Sequence, residues 1–127
     1  MGEKMLFKGI SRAFSLKNEE QYETIGNFWD EAAEIYGLES LIGLGYKWEG
    51  GYIYYAIGLK NGEIDGANFE CCLPDVGWET VSGLTDELSE IYDEIYKDGV
   101  LRLELETFTN DGKCEIRYIR DRAKSDK

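Results

Sequence analysis

LRLELETF, residues 101–108, decides how this chain is read. In an extended strand alternate side chains face opposite ways, so Leu101, Leu103, Leu105 and Thr107 share one face. Arg102, Glu104, Glu106 and Phe108 share the other. A leucine face has to be covered, which predicts that Leu101, Leu103 and Leu105 pack beneath helices and that the two glutamates look away from them. A face carrying two carboxylates and an aromatic is either solvated, as is common in antiparallel sheets, or the floor of a pocket for something cationic and apolar. The pattern alone leaves both open.

Working outward, residues 109–112 (TNDG) carry hairpin chemistry in Asp111 and Gly112, and KCEIRYI returns as a last strand. Upstream, Thr85 and the acids after it open a helix whose Leu88, Ile91, Tyr92, Ile95 and Tyr96 form an apolar stripe ended by Asp98 and Gly99. Before that, FECCLPDVGWETVSG gives strand material on both sides of Pro74, the single proline, which suits an edge or a bulge. The polar NGEIDGAN, residues 61–68, is the best internal boundary.

The first half reads in the same way. Residues 5–14 form a strand, and Asn18 before a Glu-rich turn predicts a helix start. Tyr22, Ile25, Trp29, Ala32, Ala33 and Tyr36 form the helical stripe that Gly37 closes, with Trp29 read as core. A strand runs from about residue 52 to 60, entered through Gly50 and Gly51. Gly43, Gly45 and Gly50 lack the lysine and hydroxyl residue of a phosphate loop and are read as turn residues. The fold class that follows is α+β. Two strand–helix–strand units, about residues 1–62 and 67–120, form one antiparallel sheet with two helices on one face and a groove between the halves. Residues 121–127 are read as a charged tail.

At 127 residues the chain has the size of one domain, and its 43% hydrophobic and 13% aromatic content argues for a globular fold. Fourteen basic against twenty-six acidic residues give a net charge of −12, which repels nucleic acid and draws in cations. The absence of histidine removes the commonest general base and metal ligand, and three cysteines, two adjacent, make neither a disulfide framework nor a zinc site. No metal or cofactor is expected. The opening MGEKMLFKGI lacks a secretory apolar run and no stretch is long enough to span a bilayer, which predicts a cytoplasmic protein without a membrane partner.

Face alternation then nominates the candidate site. Glu104, Glu106 and Phe108 are joined by Trp78, Tyr118 and one of Tyr54 or Tyr55 as aromatic walls around a carboxylate. Ring faces attract cations, and a desolvated glutamate adds a full counter-charge. The alternative for the same rings is cross-strand pairing that simply holds the sheet.

FKGISRAF, FWDEAAE, YYAIGLKNG, LPDVGWETV, LETF and EIRYI, in this order and over nearly the whole chain, resemble the GyrI-like domains, also known as AraC-type or bacterial transcription activator effector-binding domains. That resemblance implies a duplicated strand–helix unit with a ligand groove where the halves meet, in which multidrug-sensing relatives use a glutamate flanked by aromatics to receive lipophilic cations. It puts Glu106 in the glutamate role, Phe108 where tyrosine is usual, Trp78 at the aromatic after the proline, and Tyr55 and Tyr118 at tyrosine positions. Arg120 stands where a closing proline is usual. The length leaves no room for a helix-turn-helix, so a stand-alone domain that senses or sequesters amphipathic cations is expected, a binding module before an enzyme. Two alternatives stay open: a hydrolase of reactive small molecules with Glu104 or Glu106 as general base and Tyr118 or Tyr54 as hydrogen-bond donor, and a protein-interaction module such as a gyrase inhibitor.

Overall fold

The computed structural model describes residues 5–120. Gly50 and Gly51 take φ of 63° and 83°, the left-handed pair that a two-residue hairpin loop with native twist demands. That turn joins β2 (Leu41–Glu49) to β3 (Tyr52–Leu59), with Glu49 opposite Tyr52. Gly43 and Gly45 therefore lie within a strand and not in turns. The sequence reading missed β2 because two glycines interrupt its apolar alternation.

Seven strands form one antiparallel sheet. Besides β2 and β3 they are β1 (Met5–Ser15), β4 (Phe69–Leu73), β5 (Glu79–Leu84), β6 (Leu101–Phe108) and β7 (Lys113–Arg120), in the order β4-β1-β3-β2-β6-β7-β5. Apart from β4, the strands are symmetric about the β2–β6 pair: β1-β3-β2 on one side is matched by β5-β7-β6 on the other. Helix α1 (Gln21–Tyr36) follows β1, and α2 (Leu88–Lys97) follows β5, so each half runs strand, helix, strand, strand. The extra strand, β4, pairs with the first five residues of β1, and β3 pairs with the rest. The change of partner falls at Gly9, where a Cβ would stand 2.6 Å from the Ile57 carbonyl oxygen.

Both helices lie on one face. Phe28, Trp29 and Ala32 of α1 and Tyr92 and Ile95 of α2 pack with Ile53, Tyr55 and Ile57 of β3, Leu41 of β2, and Cys114, Ile116 and Tyr118 of β7. The α1 entry differs from its expectation. Asn18 caps nothing but sits in a 3-10 turn, Lys17–Glu19, with φ 56°, a left-handed conformation that asparagine tolerates. Residues 121–127, read as a tail, lie outside the described residues.

The orientation of β6 is the main correction. Leu103 and Leu105 do not lie under the helices; they join Phe7, Leu44, Ala56, Leu73 and Ile119 in a second apolar cluster on the far face, over which the sheet curls. Leu101 alone reaches the helix side, because the β6–β7 register slips between Leu101 and Leu103 and Arg102 is bulged out. Glu104, Glu106 and Phe108 thus face the helices. Both sides of β6 are buried, so leucine burial alone carries no information about which side the helices take.

Arg120 donates from Nη1 to the Ile95 carbonyl at 2.8 Å, tying the end of β7 to α2 where a closing proline was the family expectation.

Leu105→Ala is expected to lower the unfolding free energy by about 2–5 kcal/mol in urea titrations, since it empties a fully enclosed site on the far face. Gly43→Ala is expected to cost about 1–3 kcal/mol in the same measurement. Its Cβ would stand 2.7 Å from Tyr55 Cζ and 2.8 Å from Trp29 Cζ2, both locked in the core.

Candidate functional site

The β2–β6 ladder sets Gly43 opposite Glu106, Leu44 opposite Leu105 and Gly45 opposite Glu104. Each glutamate side chain thus lies beside a residue that has none. At Gly45 a Cβ would come within 2.8 Å of Glu104 Cγ, and at Gly43 it would strike the Tyr55 ring. The glycines that break the strand pattern make the floor of the site.

On that floor the two carboxylates are 3% and 5% exposed. Glu106 accepts hydrogen bonds from the Tyr55 hydroxyl at Oε1 and the Tyr92 hydroxyl at Oε2. Tyr55 in turn accepts from the Trp29 indole Nε1 at 2.8 Å. Glu104 accepts from Tyr96 at 3.0 Å on Oε1. Tyr92 and Tyr96, one turn apart on α2, are stacked with centroids 5.6 Å apart, so a single helical stripe presents one hydroxyl to each acid. Phe108 meets Trp29 edge to face at 4.7 Å and 87°. Among the described residues no lysine or arginine forms an ion pair with either glutamate.

Above them is a cavity of about 700 Å³, bounded by α1, α2, the sheet and the β6–β7 turn. Its wall is mostly apolar and aromatic: Tyr22, Ile25 and Trp29 from α1, Leu88, Tyr92 and Tyr96 from α2, Trp48 from β2, Ile53 and Tyr55 from β3, and Phe108 from β6. These dimensions suit a drug-sized guest.

Burial governs the titration of the acids. It pushes the Glu104 carboxyl well above 4.5, the nearby Glu106 charge adds to the rise, and tyrosine hydroxyls oppose it. Glu106 is also raised by burial, against the opposing hydrogen bonds of Tyr55 and Tyr92. The hydroxyls respond in kind: burial and then the carboxylates push Tyr55 and Tyr92 up, and burial followed by Asp93 takes Tyr22 to about 12.

The structure brings Glu104, Glu106, Phe108 and Tyr55 to the cavity wall. Of the alternative tyrosines it is Tyr55 that faces the acid; Tyr54 points to the far face, beside Tyr46 and beneath the Lys47 ammonium. Trp78 also lies on the far face, its indole donating to the Pro74 carbonyl at 2.9 Å and its ring under Arg117. Tyr118 shares the helix face and pairs across strands with Glu104, but its hydroxyl turns to Glu79 at 3.3 Å and it does not line the cavity. Tyr92, Tyr96 and Tyr22 went unnominated because their stripes read as core. The signal that could have found them is a pair of polar-tipped rings four residues apart on a stripe packing over a strand that carries two acids.

No family model and no curated protein matches the chain. Among solved structures, that of SAV2435 bound to tetraphenylphosphonium matches with a TM-score of 0.62 at 13% identity, covering 98% of each chain. At that identity the likeness is one of fold, and it extends over nearly the whole chain.

The raised Glu104 sets a pH signature. Below the ordinary glutamate value of 4.5 the acid is protonated folded or unfolded. Above it the unfolded chain loses the proton first, so folding stability is lost progressively until pH passes the folded value. Glu104→Gln is therefore expected to gain stability relative to the parent as pH rises from about 5, at up to about 1.4 kcal/mol per pH unit, measured by urea titration at successive pH values.

Proposed function

We propose that the cavity is a receptor for amphipathic, lipophilic cations, with Glu106 as the counter-charge, and that the chain is a GyrI-like effector-binding domain that senses or sequesters them. The observation that carries this is a pair of buried carboxylates in an aromatic cavity whose described surroundings offer hydroxyls but no positive charge. A carboxylate in that state is poorly solvated, and an incoming cation relieves the penalty while gaining the negative faces of Trp29, Tyr92 and Phe108. Ring walls make dispersion contacts without demanding matched hydrogen bonds, so guests of several shapes are accommodated. The fold shared with SAV2435, whose structure holds the lipophilic cation tetraphenylphosphonium, supports the same reading, as does the order of sequence motifs. The net charge of −12 raises the local concentration of cations of every kind, and the greasy wall selects among them.

A hydrolase reading has one observation in its favour, the raised carboxyls beside tyrosine hydroxyls, which is the setting of a general base. Absence of turnover with esters and epoxides would remove it.

Titration with tetraphenylphosphonium, followed by the fluorescence of Trp29 and Trp48 in the cavity wall, is expected to give saturable binding that Glu106→Gln weakens about 10- to 100-fold, or roughly 1.4–2.8 kcal/mol. Equal affinity in the parent and the variant would remove Glu106 from its role.

A further inference from the structure

One lipophilic cation accounts for one carboxylate, and this cavity has two. Glu104 is as deeply buried as Glu106, lines the same cavity, and stands two residues along the same face of β6. At the rise of a strand, their Cβ atoms stand about 7 Å apart.

Their hydrogen-bond states differ. Glu106 is served at both oxygens by Tyr55 and Tyr92. Glu104 is served at Oε1 by Tyr96, while Oε2 accepts no hydrogen bond among the described residues. A second acceptor in the cavity wall is likewise unmatched: Gln21 Oε1, at the start of α1, is buried with no hydrogen-bond partner. On the floor, the donors Trp29, Tyr55, Tyr92 and Tyr96 are all committed to the acids or to one another. What the floor has to spare is acceptors. A guest that completes it brings N–H groups as well as positive charge.

We propose that Glu104 is a specificity-determining residue for a second cationic centre, so that the cavity prefers guests carrying two N–H-bearing cations about 7 Å apart, Glu106 holding one and Glu104 the other. This rests on the cation-binding reading above and adds the class of guest. Amidinium groups suit it well, because their planar paired N–H groups match a carboxylate and their flat aryl bodies fit between Trp29 and the Tyr92–Tyr96 stack. A fully substituted cation such as a phosphonium has charge but no N–H, and leaves Glu104 Oε2 and Gln21 Oε1 unmatched.

The test compares benzene-1,4-dicarboxamidine with benzamidine, by calorimetry on the whole chain and on Glu104→Gln. The parent is expected to bind the bis-amidine about 30-fold more tightly than the mono-amidine, the yield of one additional charge-assisted contact. Glu104→Gln is expected to reduce that advantage to about 3-fold or less. A second readout needs no variant: in buffers of different protonation enthalpy, the bis-amidine is expected to release more protons from the parent than benzamidine does, because Glu104 ionises as its partner arrives. A bis-amidine no tighter than benzamidine on the parent, an advantage that survives in Glu104→Gln, or equal proton release would each overturn the proposal. If tetraphenylphosphonium still binds in a Glu106-dependent way, the receptor reading stands and the second cationic centre alone is lost. If neither amidine nor the phosphonium binds, both readings fall.

Discussion

Three residue pairs at the centre of the sheet govern everything around them. Where β2 meets β6, a glycine faces each glutamate and a leucine faces a leucine. The two glycines give up side-chain volume on the helix side, and the acids and Tyr55 occupy it; the leucines between them close the far side. Had alanine or larger residues stood there, a Cβ at 45 would have struck the Glu104 side chain and one at 43 the Tyr55 ring, and the floor could not keep its present arrangement.

The helices then have a double task. Each covers the sheet with apolar rings, and both line the cavity that lies over the sheet. Tyr92 shows how one residue serves both needs, since its ring is part of the core while its hydroxyl satisfies a buried acid. Such a network is favourable only when every member finds its partner, and Glu104, buried with no positive partner among the described residues, carries a desolvation penalty on the floor of the cavity. Stability is sacrificed locally, and the enclosed leucines of the opposite face support the rest.

Much of this was legible from the chain. Helix stripes, the Asp111–Gly112 turn, the Gly50–Gly51 turn and the period of LRLELETF all rest on local periodicity, which survives in the folded molecule. β2 was not legible, because the residues that interrupt its pattern are chosen by what lies opposite them, a contact 60 residues away in sequence. The facing of β6 was lost for a related reason: with both sides covered, hydrophobicity no longer distinguishes them, and only the hydroxyl tips of Tyr92 and Tyr96 reveal where the carboxylates point. Trp78 was misplaced for the same reason: it packs on the far face with Leu103 and Leu105, its indole on the Pro74 carbonyl, while the acids turn to the helices.

The strict alternation of β6 from Leu103 to Phe108 separates two kinds of position. Even-numbered positions from 104 to 108 face the cavity, while 103 and 105 hold the architecture together. Descendants of such a sequence are free to rewrite their chemical preferences at the first set while the second keeps the scaffold. A single inserted residue upstream would exchange the two roles at once, unless a bulge like the one at Arg102 absorbed it.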